Sequence, residues 1–230
     1  QRVKSTYDLM ITLMDKASAY SEKLLENRSK ANQVSLAQLD FPLSWNVDSS
    51  SFSTIGFKGY TTDSAISEAT GMQKLIYNHD KPYTKNIRFF NKFQPANSVK
   101  KPVAYIIPQG WYEVIERLKL NTVHVSRFER DTVLNLGVYH IDEYKSYTKP
   151  YEKHHKNYGV KLSSNQQIIH FLKGDYLVEM NQPVNRYIIE MLEPNGDDSF
   201  FAWNFFDAIL QQKEGYSDYR WEDVAAQILS

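Results

Sequence analysis

The sequence contains no cysteine, which excludes disulfides, thiolate zinc sites, iron–sulfur clusters and cysteine nucleophiles together. It leaves the compartment open, since a chain without thiols is compatible with reducing or oxidising surroundings. An excess of either charge is also missing, with 27 lysines and arginines against 27 aspartates and glutamates. Without a long-range basic field, nucleic acid is not an expected partner. No apolar run approaches the ~20 residues a membrane-crossing helix needs. The opening Gln1-Arg2-Val3-Lys4 lacks an initiator methionine and an apolar signal segment, and it leads directly into a helical pattern. We take it for the opening of a processed or excised chain. Nucleophile elbows and glycine-rich phosphate loops are missing as well, because Gly56 and Gly59 complete neither pattern.

What is present is enough for a sizeable core. A chain of 230 residues buries roughly 70% of its unfolded surface, as one large domain or two small ones. From Ser5 to Asn32, Leu9, Leu13, Ala17, Tyr20 and Leu24 recur at helical spacing, with Ser5 and Asp8 as an N-cap signal. This predicts one long amphipathic helix. Leu36 to Ser53, with Pro42 and a polar run, reads as a connector, with a boundary near residue 40. Short β-rich segments follow at 53–60, 74–77 and 86–93, and His79-Asp80 before Pro82 reads as a turn. Val103–Ile107, the helical face Trp111, Val114, Ile115, Leu118, and Thr122–Phe128 make a strand, helix, strand crossover. Segments 132–147, 159–162, 167–172 and 175–180 suit an antiparallel sheet. Val184 to Leu192 is helical, with Pro183 as its first residue. Ser199–Gln212, apolar around much of its circumference, and a stripe at Trp221, Val224, Ala225 and Ile228 predict two more helices. The fold class is therefore α+β: a long N-terminal helix, a mixed or antiparallel β region with one crossover, and C-terminal helices.

Candidate chemistry is sparse. His140-Ile141-Asp142-Glu143 has an HxxE form, but residues three apart on a strand point to opposite faces, so both reach one ion only on an irregular segment. Paired acids such as Asp197-Asp198 and Glu222-Asp223 cannot be given acid and base roles from sequence, and helix capping explains the first pair. Most of the 12 phenylalanines, 16 tyrosines and 4 tryptophans belong in a core. The exception is the polar loop 144–158, where Tyr144, Tyr147, Tyr151 and Tyr158 cluster beside His154 and His155. Those six residues are the candidate contact surface for a ligand or partner.

Several ordered segments resemble a known family. They are Pro102-Val103-Ala104-Tyr105-Ile106-Ile107-Pro108 followed by Trp111 to Leu118, Gly174-Asp175-Tyr176, Gln182-Pro183, Leu192-Glu193-Pro194, Asp198 to Asp207, and Gln212 to Tyr219. Together they resemble the non-catalytic region after the catalytic domain in bacterial carboxypeptidase A-like zinc metallopeptidases. The resemblance implies a secreted or periplasmic parent peptidase, with zinc held in a catalytic domain upstream of this chain by an HxxE motif and a distant histidine. His140 and Glu143 do not match that arrangement, because the later histidines, His154, His155 and His170, lie too close. No catalytic or metal residue is therefore carried over, and no cofactor is expected in this chain itself. On this reading residues 1–40 are helix and linker, 41–230 form an α+β accessory domain, and the partner is the chain's own catalytic domain. The alternatives are an independent glycan- or peptide-binding module using loop 144–158, and a self-contained hydrolase with an unfamiliar site.

Overall fold

A computed structural model describes residues 2–211 and 218–230. They form an α+β structure with a long helical N-terminus and several small sheets. The chain divides into two units, Gln1–Phe41 with Val99–Ser230, and Pro42–Ser98.

In the first unit the predicted helix is present as α1 (Arg2–Ala19) and α2 (Ser21–Ala37). Ser5 lies inside α1 and is not its cap. Tyr20 leaves helical geometry at φ −113°, yet its N–H bonds Lys16 O and its carbonyl accepts from Leu24 N. The backbone ladder thus runs through the break, giving a rod about 50 Å long. At 100° per residue Leu9, Leu13, Tyr20, Leu24, Met10, Met14 and Val3 share a broad apolar arc, with Asp8, Thr12, Asp15 and Lys23 opposite. Neither helix buries a residue. Among the described residues, α2 is anchored at its end, where Asn185 Nδ2 donates to Ser35 O at 3.3 Å and Lys101 Nζ to Leu36 O at 2.7 Å.

The core of this unit forms around a three-stranded sheet in the order β5 (Ala104–Ile107), β9 (Tyr176–Glu179), β6 (Ser126–Arg127). Both outer strands are antiparallel to β9, so they run parallel to each other, joined through α3 (Tyr112–Leu120). The expected crossover exists, but it is split by β9 and its second strand is only 2 residues long. Helix α3 buries Val114, Ile115 and Leu118, and α4 (Asn185–Leu192) buries Ile188 and Ile189. Val178 and Phe200 complete the tightly packed centre. The start of α4 falls two residues beyond Pro183, with Val184 as N-cap.

Buried polar side chains clip both ends of β9. Asp175, 6% exposed, accepts the backbone N–H of Gln109 at 3.1 Å and of Leu172 at 2.8 Å. Beyond the other end, Gln182 accepts from His124 N at 2.7 Å and donates to His124 O and Glu179 O. These bonds satisfy main-chain groups that the short strands leave unpaired.

The helix predicted over Ser199–Gln212 is not formed. Residues 199–206 are successive turns, followed by a 3-10 turn at Asp207–Leu210, while Gln212 lies outside the described residues. The carbonyl of Ala202, which a helix would use internally, accepts instead from Asn157 N, and that of Phe201 accepts from Asn157 Nδ2 as well as from Asn204 N. Asn204 then takes a left-handed φ of 68°, which a helix cannot contain. The apolar circumference reflects a buried irregular segment.

In the unit Pro42–Ser98, β1 (Asp40–Val47) occupies part of the segment read as a connector and pairs with β4 (Phe93–Lys100). The separate strands expected at 74–77 and 86–93 are largely one strand, β3 (Gln73–Phe89), antiparallel to β2 (Ser53–Ile66). The predicted turn at His79-Asp80 is bridged because the register slips between Tyr60 and Thr61. Pro82, opposite Tyr60 at the slip, thereby avoids a regular ladder position. One face of the ribbon carries Ile55, Phe57, Tyr83, Ile87 and Phe89, the other Thr54, Lys58, Thr84, Asn86 and Arg88.

Strands β7 (Thr132–Ser146) and β8 (Asn157–Phe171) form the other long ribbon, in the first unit. The segments expected at 159–162 and 167–172 both belong to β8. Their register shifts between Glu143 and Lys145, opposite Gly159, whose φ is +62° and whose Cβ position is open within 4 Å. Gly159→Ala should therefore cost only the left-handed backbone term, about 1 kcal/mol. The measurement is the urea midpoint at unchanged slope, and an unaltered midpoint would show that the bulge relaxes instead.

Candidate functional site

The β7–β8 ribbon carries the candidate residues at its tip. Beyond the pair Ser146↔Asn157, Tyr147 N donates to Lys156 O at 3.1 Å, and Tyr151 and His154 exchange backbone hydrogen bonds of 2.9 and 2.8 Å. Between them Glu152 and Lys153 have φ of 49° and 69°. Two successive left-handed residues are what a type I′ hairpin turn requires, a position that Asn-Gly fills without strain. Here the strain falls on two side-chain-bearing residues, at ~1 kcal/mol or more each. The predicted loop is thus a tight hairpin.

Side chains from outside the hairpin oppose that strain. The Tyr147 and Tyr158 rings stack at 4.4 Å and 25°. His155 Nδ1 lies 2.8 Å from Tyr147 O, and Asn204 Nδ2 donates to His155 O at 3.1 Å. His154 turns the other way, edge-on to Trp203 at 5.4 Å, and Tyr151 approaches the same indole at 6.3 Å. Lys156 Nζ lies 4.4 Å from the Trp203 ring centroid and donates to Asp198 Oδ1 at 2.7 Å. Asp198 Oδ1 also accepts from Trp203 Nε1 at 3.1 Å. The Lys156 bond, with help from Trp203, holds this carboxyl below its ordinary range. Asp198 is therefore a brace for the hairpin and not the helix cap expected from sequence. Tyr144 stands apart, with its ring edge-on to buried Phe201 at 6.0 Å.

Asn157 is the root of this assembly. It is 4% exposed and accepts from Ser146 Oγ at 2.6 Å, while its Nδ2 donates to Phe201 O and to Asp207 Oδ1. Trp203, Asn157, Asp198 and Asn204 were not legible as site residues, because their sequence neighbours suggest a helix and a surface loop.

The HxxE pair is separated by its partners. His140 Nε2 lies 3.1 Å from Asn165 Oδ1 and 2.9 Å from Gln167 Nε2, whereas Glu143 pairs with Lys161 at 2.7 Å. Among the described residues no group of three or more histidine, aspartate or glutamate side chains is gathered for a metal ion.

A second polar centre lies at the end of α4. The carboxylate of Glu193, 2% exposed, accepts the Tyr105 hydroxyl and, at 3.4 Å, that of Tyr139. Tyr105 also lines a cleft of about 160 Å³ with Pro108, Trp111, Leu192 and Phe206. Burial and the neighbouring carboxylate push Tyr139 up to about 12 and Tyr105 higher still. Burial likewise raises Glu193 above its ordinary 4.5, against the lowering effect of the two hydroxyls.

Compared with family models, curated proteins and solved structures, the chain matches none.

Glu193 has a consequence for stability. Above pH ~4.5 the unfolded chain releases this proton while the folded chain retains it, so its contribution to stability falls until the folded value is passed. Glu193→Gln keeps an acceptor for both hydroxyls and does not titrate. Its thermal midpoint should vary less with pH above that point, and at pH 7 should equal or exceed the parent's. A markedly lower midpoint at pH 7 would show that the ionised carboxylate stabilises the fold.

Proposed function

We propose that this chain is the C-terminal accessory region of a zinc carboxypeptidase-like metallopeptidase, packing on a catalytic domain and shaping access to its cleft. The observation that carries this reading is the apolar arc of α1 and the first turn of α2. Met10, Leu13 and Met14 are 52%, 54% and 58% exposed, and Leu25 is 68% exposed. An apolar arc of that breadth, left in water along α1 and the start of α2, fits a surface that covers it. The segments that carry the family resemblance add support, because they supply much of the first unit's interior. They include buried Ile107, Val114, Leu118, Tyr176, Glu193, Phe200 and Phe201, and the polar clips Asp175 and Gln182. The stretch Gln212 to Ser217 lies outside the described residues. Zinc and the hydrolytic residues belong, on this reading, to the catalytic domain.

The test is to produce the polypeptide encoded upstream and mix it with this chain. The expected result is a complex whose upstream partner holds the zinc, and whose affinity drops at least tenfold with Met10→Asp plus Met14→Asp. Each buried apolar side chain is worth about 1.5–3 kcal/mol, and 1.4 kcal/mol is tenfold. Because both positions are exposed, the thermal midpoint of the chain alone should stay within a few degrees. Stoichiometric zinc and peptide hydrolysis in this chain by itself would overturn the reading.

A further inference from the structure

The hairpin tip is an exposed segment on which strained backbone and a dedicated set of side-chain braces converge. Such strain persists only when surrounding contacts over-determine it, and it concentrates at functional sites. Here the braces come from Trp203, Asp198 and Asn204, and they leave three rings partly in water: Tyr147 is 54%, Tyr151 64% and Tyr158 40% exposed. The charges are asymmetric too. Segment 145–158 contains Lys145, Lys149, Lys153 and Lys156 against the one carboxylate of Glu152. Lys156 is engaged with Asp198, while Lys145, Lys149 and Lys153 form no ion pair among the described residues. A chain of zero net charge therefore presents a local cluster of unpaired ammonium groups beside exposed phenol rings.

We propose that this tip is a binding surface for an anionic polysaccharide, with Tyr147, Tyr151 and Tyr158 against sugar rings and Lys149 and Lys153 on carboxylate or sulfate groups. The apolar face of a pyranose stacks on an aromatic ring, and tyrosine hydroxyls add hydrogen bonds at its rim. The braced geometry lowers the ordering cost on binding. An extended peptide adding as a strand is less well served, because at the turn Tyr151 and His154 already exchange their backbone hydrogen bonds and Tyr147 N is bonded to Lys156 O. What remains for recognition is ring faces and charge. This surface involves no residue of α1 or α2, so its failure and the failure of the helix reading are separately visible.

The experiment titrates the full chain with polygalacturonate and with heparin, using dextran and poly-L-glutamate as comparators. The expected result is binding of at least one of the two anionic polysaccharides, weakening as salt rises, with no binding of dextran and at least tenfold weaker binding of poly-L-glutamate. Tyr147→Ala with Tyr151→Ala should weaken it about tenfold or more, by loss of stacking. Lys149→Gln with Lys153→Gln, at exposed positions whose side chains form no ion pair among the described residues, should weaken it and flatten the salt dependence. Circular dichroism and thermal midpoints establish that each variant is folded; should the tyrosine pair fail to fold, the lysine pair decides. Absence of binding to both polysaccharides, equal binding of poly-L-glutamate, or full affinity in the folded lysine variant would each overturn the proposal.

Discussion

One buried amide holds the candidate site in place. Asn157 is the first residue of β8, and its backbone and side chain together engage Ala202, Phe201, Asp207 and Ser146. A buried amide can be satisfied only where every partner is in position at once, so this residue ties the register at the hairpin root to the path of residues 199–207. It also draws off the Ala202 carbonyl and shares that of Phe201, both of which a helix would use for its own bonds. With that segment irregular, Phe200 and Phe201 go inward while Trp203 is left half-buried beneath the hairpin, where Lys156, His154 and Tyr151 close on it.

The same logic recurs around β9. Short strands flanked by turns leave many main-chain donors without a ladder partner, and burying them unpaired would cost about 1–3 kcal/mol each. Asp175 and Gln182 meet that demand on either side of the strand. Asn185 adds bonds to Met180 O and, through Ser35 O, holds the end of the N-terminal helix. Polar residues here position the backbone, and the apolar residues of α3 and α4 then fill the space between.

Among the exposed surfaces of the described residues are the apolar arc of the N-terminal helix and the braced hairpin tip. They differ in chemistry. The helix offers aliphatic and thioether side chains along a rod, suited to burial against another folded surface. The tip offers phenol rings and ammonium groups on a strained turn, suited to a polar ligand. On the reading proposed above, an accessory region that packs on a catalytic domain and holds an extended anionic ligand near it would join the two.

Elements whose periodicity is local are legible in the residue order alone. The long helix, α3 and α4 follow from 3.6-residue spacing, and β5, β7 and β9 from short β-rich runs between turn residues. The residue order also marks Tyr147, Tyr151, Tyr158, His154 and His155 as one neighbourhood, because they lie within a few residues of each other. Long-range hydrogen bonds set the rest: β9 inserted between β5 and β6, the two halves of β3 joined through a slipped register, and 199–207 kept from a helix its apolar residues would otherwise form. Trp203, 49 positions beyond His154 in the chain, joins that neighbourhood through the same bonds. Local spacing sets which conformations are cheap, but a buried donor must find its acceptor wherever the fold places it, and that choice is not written in any short window of sequence.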